Sequence, residues 1–488
     1  MRKPYSEQRR LDCDAIENVR LNLDCRDEII PILFALQHIY APPEVRDPIL
    51  RLIAEDVNDD SRRDVGRPGF DDWQIVVLVA VRLGCNLNYD KLQDLAEQHR
   101  ALRHMMGIGD WDDDTSFNWR RIRNTLCRLK PETIDKISQS IVAQGHALDP
   151  EAVKKVRADS FVAETNIHYP TESSLIYDGM RKIIALCAVL AGRFNLPGWR
   201  QHEHLLKKIK NISITISRVS SRKGPKYQER LKKQYGKLLK RAGKVLKRAK
   251  VLENELLDQG ANVMTLCQVA DLKRFIELTE QVCDTARRRV IEGETVPNED
   301  KIFSMFETHT QLYRRGKQAQ PNQFGRLVMV YEDAVGFITH HHILPRDVQD
   351  PDVVVEQTRI VQDRHDGQIE DASFDRGFYS RDNEKQLREI IDHPCLPKKA
   401  PREFEEQKKN ASVRFREARQ RHPGIESAVG ALQFGNGLER CRDRTEIGFA
   451  RYIALGILGR NLHVLGKLLI QQRAPHAKAA ESRRKAAA

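Results

Sequence analysis

Three acidic residues stand where their type and setting could support chemistry. Asp159 lies near the end of a strand-like run, VKKVRADS (153–160). Asp375 closes the short run IEDASFD before the turn RGF, and Glu426 lies in GIESAVGALQ, on a helical stretch that begins near residue 411. Three carboxylates brought to one point are hard oxygen ligands able to hold two divalent cations. Such a pair would activate water or a 3′-hydroxyl and stabilise the leaving oxygen of an in-line phosphoryl displacement. Few other chemistries need three acids so far apart and no nucleophilic Ser or Cys. Asp375 and Asp159 also have a plainer reading, because Asp is common where a strand ends in a turn.

Other reactive residue types point nowhere so sharply. The nine cysteines are scattered without a C-x-x-C pair, which speaks against a disulfide framework or a structural zinc site. His340, His341 and His342 are consecutive, so on a strand they face alternate sides and cannot easily share one metal. His202 and His204 lack a Cys or acid framework. The four tryptophans (73, 111, 119 and 199) read as core anchors. Asn166, His168 and Tyr169 follow Asp159 closely, and both site lining and plain packing remain open for them.

The elements that must position the three acids form an α+β order. A strand carries Asp159, and a long helical insert follows. A hairpin at 326–331 and 337–344 turns at EDAVG, then come a helix at 350–365 and the strand ending in Asp375. A helix (SRDNEKQLREII), a brief strand at 394–397 and a final helical region complete the series. Upstream, 1–62 reads as a helical segment and NDDSRRDVGRPGF as a linker. Residues 63–147 read as a run of helices, with Asp71 or Asp72 capping WQIVVLVAVRL and Thr115 or Ser116 capping FNWRRIRNTLCRL. The last of these carries Arg120, Arg121 and Arg123, as a helix-turn-helix-like DNA reader would.

The insert, 196–321, is both basic and patterned. Leu231, Tyr235, Leu238, Ala242, Val245, Ala249, Leu252 and Leu256 alternate by four and three, an a/d heptad seam. Its partner is either residues 271–290 folding back or the same helix of another subunit. Residues 207–250 hold seventeen Lys/Arg and one acid, Glu229, a local +16 that leaves the rest of the +13 chain near −3. The outer faces would carry Lys232, Lys233, Lys237, Lys240, Arg241, Lys244, Lys247 and Arg248. That density fits a polyanion such as double-stranded DNA, whose counterions such contacts release. A solvated helix face is the plain alternative. No stretch approaches the ~18 apolar residues that cross a bilayer, and the polar N-terminus lacks an apolar signal core, so a cytoplasmic, nucleoid-associated protein is expected.

Several stretches resemble the DDE transposases of bacterial insertion sequences, most closely the ISNCY-type group. They are RADSFVAETNIHYPTESSLIYDGMRK, SFDRGFYS and IESAVGALQFGNGLERCRDRTEIGFARYIALGILGRNL, with GRPGFDDWQIVVLVAVRLGCNLNYDKLQDL and DTSFNWRRIR upstream. The resemblance covers most of residues 60–470. It implies a ribonuclease H-like catalytic domain at 148–195 and 322–470, interrupted by the arm at 196–321. A helical DNA-binding-like domain at 63–147 would precede it, and a disordered tail at 471–488 would follow. It further implies two Mg²⁺ or Mn²⁺ ions on Asp159, Asp375 and Glu426, binding of terminal inverted repeats and target DNA, strand cleavage and transfer, and a homodimer on DNA. Related families place Arg four before the Glu and Lys seven after it. Here those positions hold His422 and Gln433, so Glu439 and Glu446 stay open as alternatives for the third acid.

Overall fold

The structure, a computed structural model, describes residues 11–58, 69–112, 115–222, 224, 226–258, 263–314 and 321–487. Most of the linker expected at 58–70 lies outside them. The chain is α+β and forms two compact units, residues 1–166 with 326–488, and residues 167–325.

The first unit opens with seven helices: α1 (Ile29–Tyr40), α2 (Pro43–Val57), α3 (Asp72–Gly84), α4 (Tyr89–Gln98), α5 (Arg100–Met105), α6 (Trp119–Leu126) and α7 (Pro131–Leu148). Asp71 caps α3, accepting from the Gln74 amide at 2.7 Å while the Gln74 side chain accepts from the Asp71 amide. Asp71 is largely buried there, which pushes its carboxyl up to about 6. WQIVVLVAVRL has no polar stripe, and α3 is accordingly buried all round. Helix α6 is capped by Asn118, whose Oδ1 accepts from the Arg120 and Arg121 amides at 3.0 and 3.3 Å, not by Thr115 or Ser116. The cap falls to the residue with extended backbone immediately before the first turn. Strand β1 (Lys155–Glu164) follows α7.

The second unit holds α8 (Glu172–Arg193), α9 (His202–Ser221), α10 (Tyr227–Asp258), α11 (Val263–Ala286) and the short β2 (Gln311–Tyr313). The heptad positions of α10 from Tyr235 to Leu256 are buried against α8, α9 and α11, in a core that also takes Ile183, Ile209, Leu272 and Phe275. The seam is therefore occupied within the chain.

Back in the first unit run β3 (Gln323–Glu332, its first residues shared with the second unit), β4 (Ile338–Ile343), α12 (Asp350–Arg364), β5 (Asp371–Phe374), α13 (Arg381–Leu387), β6 (His393–Cys395), α14 (Pro401–Lys409), α15 (Val413–Arg421), α16 (Gly424–Gly430) and α17 (Glu446–Ala487). β4 pairs antiparallel with β3, and the sheet continues in the order β3-β1-β5-β6, with β1, β5 and β6 parallel. The result is a mixed sheet flanked by helices, and β2 adds to the start of β3.

Helix α17 contains a segment, Glu446–Arg473, long and apolar enough by length and composition to cross a membrane, which no sequence stretch was expected to approach. It packs instead on α1, α3 and α7, with 67% of its most apolar window buried. The approach is close: a Cβ at Gly459 would lie 2.6 Å from the Gly84 backbone nitrogen. The helix runs on through the segment expected to be disordered, where AKAAESRRKAA is rich in strong helix formers.

Candidate acidic site beside two parallel strands

Strand pairing places the first two acids. β1 and β5 run parallel with Lys155 opposite Asp371 and Ala158 opposite Phe374. One more step in that register sets Asp159 beside Asp375, on strands that lie about 4.7–4.9 Å apart. Asp375 keeps an extended backbone (φ −80°, ψ 166°) and N-caps a short 3₁₀ turn, Arg376–Phe378, without a side-chain capping bond. Its carboxylate is thus not consumed in closing the turn. Asp159 is half-buried, and its Oδ1 accepts from the Ser160 amide at 2.7 Å.

Side-chain alternation then decides which face they share. Arg157 donates to Glu332 at 2.5 Å and to the Arg421 carbonyl at 3.0 Å, and a Cβ on Gly424 would meet its guanidinium. Ser373 shares a 3.1 Å hydrogen bond with His422 Nδ1. Arg157 and Asp159 are two residues apart, as are Ser373 and Asp375, so all four belong to the face covered by α15 and α16. Ser160, on the other face, donates to Asp350 of α12 at 2.8 Å.

The third acid sits on that covering layer. Helix α16 packs against β1 with Ile425 and Ala428 buried, which leaves Glu426 exposed in its first turn. His422, one turn before Glu426, is 5% exposed and anchored to Ser373. Its burial lowers it to about 4; neighbouring Arg419 lowers it further and Asp375 opposes the shift. Nη1 of Arg419 is buried and has no hydrogen-bond partner among the described residues. The His422–Ser373 tie spans 49 residues, and no local sequence signal could have disclosed it.

Of the competing acids, Glu446 is ion-paired and Glu439 is exposed. Glu439 neighbours Glu164, where the Glu164 amide donates to the Glu439 carbonyl at 3.0 Å; burial raises the Glu164 carboxyl, Arg440 offsets this, and Glu439 adds to it. Glu164 is five residues beyond Asp159, about 16 Å along the strand. Glu446 pairs with Arg326 at 3.1 Å. Gln433 Nε2 donates to the Val162 carbonyl at 3.4 Å. Among the described residues no three His, Cys, Asp or Glu side chains converge as a metal-ligand group. The fold therefore sets two acids side by side and the third on the adjoining helix, without drawing all three to coordination distance.

The remaining candidates fall into two sets. Arg120, Arg121 and Arg123 are exposed on α6; Arg120 and Arg123 lie over the Trp119 ring at 5.1 and 5.4 Å, and Arg121 over Phe70 at 5.0 Å. On α10, Lys232, Lys233, Lys237, Lys240, Lys244 and Lys247 are exposed, and none makes an ion pair among the described residues. Arg241 is half-buried, and Arg248 lies over Trp199 at 4.7 Å. His340 is buried against Gln357 at 2.8 Å and lowered to about 3 by desolvation, a core histidine. His168 meets Asp178 at 3.6 Å and Tyr169 packs edge-on to Phe324, both within the second unit. Comparison with known proteins finds no family model, no curated protein and no solved structure that matches this chain.

Proposed function

We propose that the chain is a DDE-type DNA transposase that binds terminal inverted repeats and cuts and joins DNA strands. The observation that carries this reading is the β1–β5 pairing, which runs to Ala158 and Phe374 and so brings Asp159, midway along β1, next to Asp375, just past the end of β5, on the face covered by the helix bearing Glu426. A hairpin, then β1, then two parallel strands fits a ribonuclease H-like core interrupted by a basic arm. The donor set suits Mg²⁺ or Mn²⁺, since carboxylate oxygens are what these hard cations take. Asp159 and Asp375 would hold the ions, with Glu426 on the adjoining helix as the third carboxylate. Bound there, the ions supply charge neutralisation and an activated oxygen nucleophile. The protein's own part is placement: β1 and β5 fix two carboxylates, and His422 pins α16 to β5 through Ser373. The lysine face of α10 and the arginines of α6 would hold the DNA backbone.

A second reading is a non-catalytic DNA-binding regulator derived from a transposase. The dispersed third acid favours it, because no three-ligand group forms among the described residues. One experiment separates the two: cleavage of a labelled duplex carrying the element's own ends, in Mg²⁺ or Mn²⁺, with binding followed in parallel. The transposase reading expects Asp159→Ala, Asp375→Ala and Glu426→Ala each to bind DNA and not cut it. Wild-type protein that binds these ends and never cuts them establishes the regulator instead.

A further inference from the structure

Where the chain turns into α9, residues Gly198–Lys208 and two arginines of α10 enclose a cleft of about 390 Å³. Its charged lining is Arg200, Lys208, Arg241 and Arg248, and among the described residues no carboxylate lines it. The acid in the first turn of α9, Glu203, is exposed and not part of the wall. The walls are held firmly. Trp199 is 5% exposed, and the Arg248 guanidinium lies over its ring and donates to the Gly198 carbonyl. His202 Nδ1 sits 3.1 Å from the Trp199 carbonyl, to which it donates. Gly198 has φ +103°, a conformation that favours glycine, so the turn is built into the sequence. Four cations that share a cleft without an anion repel one another, and a bound anion relieves that repulsion.

The cleft also continues a surface. Lys237, Arg241, Lys244 and Arg248 follow the spacing i, i+4, i+7, i+11, which places them in one stripe along α10. At 1.5 Å per residue the stripe is about 16 Å long. One DNA strand advances about 3.4 Å per phosphate, so the stripe spans roughly five phosphates.

We propose that this cleft is a phosphate seat, filled by the backbone of a DNA strand lying along the stripe. The seat rests on its own geometry; only DNA as the source of its phosphates rests on the transposase reading, and a free polyphosphate shares the chemistry. The test uses the full chain with Lys208→Gln and Arg241→Gln together, sparing Arg248, which supports Trp199. Binding of an arbitrary-sequence duplex about three helical turns long is measured by anisotropy across a salt series, and binding of inorganic tripolyphosphate by calorimetry. Lys136→Gln with Lys385→Gln, two exposed cations outside the cleft, is the charge-matched control.

Each lost phosphate contact flattens the salt dependence by about 0.9, so between 50 and 200 mM salt the wild type should lose roughly tenfold more affinity than the cleft variant. That difference, absent from the control pair, supports the proposal. An equal change in the control overturns it. Tripolyphosphate binding lost in the variant with the duplex salt slope unchanged keeps the phosphate seat and overturns DNA as its occupant. If neither ligand responds to the cleft variant, there is no seat. Wild-type protein that binds no duplex sinks the transposase reading separately, and the tripolyphosphate titration then decides the cleft.

Discussion

Two carboxylates set side by side without a cation between them should repel, and removing one charge should stabilise the metal-free protein. Asp159 and Asp375 each follow the last paired residues of β1 and β5, Ala158 and Phe374, and at the spacing of paired strands their charges would stand about 5 Å apart. Coulomb's law gives about 0.8 kcal/mol at that distance in water and about 3 kcal/mol at an effective dielectric of 20. Asp159 is half-buried and Asp375 exposed, so solvent screening favours the lower end, about 1 kcal/mol. Asp375→Asn keeps the shape and removes the charge, and no side-chain cap is lost, because Asp375 makes none. Urea unfolding in EDTA should therefore show the variant more stable by about 1 kcal/mol, whereas an average substitution costs about that much. Magnesium should reverse the order. At tenfold excess over Kd a ligand that binds only the folded state adds about 1.4 kcal/mol, and the variant should gain much less than the wild type. The reasoning is refuted if Asp375→Asn is destabilising in EDTA and both proteins respond equally to Mg²⁺; the two acids would then be ordinary turn and strand residues.

Three further outcomes test the scaffold. Arg82 is 2% exposed and pairs with Asp443 at 2.5 Å beneath the Tyr89 ring, so Asp443→Ala strands a buried charge and should cost about 3–5 kcal/mol in urea unfolding. Leu238→Ala in the α10 seam should cost about 2–5 kcal/mol and leave the sedimentation mass unchanged, since the seam is buried within the chain; a change of mass would place it between subunits. His422 titrates near 4 in the folded protein and near 6.5 when unfolded, so the unfolded state binds the extra proton between those values. Stability is fully present above about pH 6.5 and lost as pH falls toward 4, by roughly 2–4 kcal/mol from this residue; His422→Gln should remove that share of the slope in urea midpoints taken from pH 4 to 7.

Local signals in the sequence led to local structure. The capping pattern at Asp71, Pro131 at the first turn of α7, the hairpin around EDAVG and the short strand before Asp375 each rest on a few adjacent residues, and each is present. The heptad spacing of α10 announced a buried seam but not its partner, because a 4–3 pattern describes one helix face and not what covers it. Asn118 displaced Thr115 and Ser116 as the α6 cap because backbone conformation, not side-chain type, chooses among adjacent capping residues. The apolar run of α17 was diluted by Arg451, Arg460 and Lys467 in the sequence, and only packing against α1 and α3 shows how completely it is buried. The cation cleft at the start of α9 joins residues more than thirty positions apart, a contact that neither charge counting nor periodicity reports.

The placement of the acids follows from how a long insertion can be tolerated. Asp159 and Asp375 are 216 residues apart, and closing a loop of that length costs only a slowly growing entropy, provided the looped segment does not compete for the core. Residues 167–325 meet that condition by burying their own apolar surface around the α10 seam. The chain leaves from β1 and returns on β3, neighbours in one sheet, so the insertion does not interrupt the order of the strands. β5 can then pair with β1 as if the segment were absent, and that pairing brings Asp375 to Asp159. Glu426 arrives differently. Its helix is held by buried Ile425 and Ala428 and by the His422–Ser373 bond, side-chain contacts rather than backbone pairing. Two acids are thus placed by backbone pairing and the third by side-chain packing, which is why the strand register alone brings the first two together and leaves Glu426 on the adjoining helix.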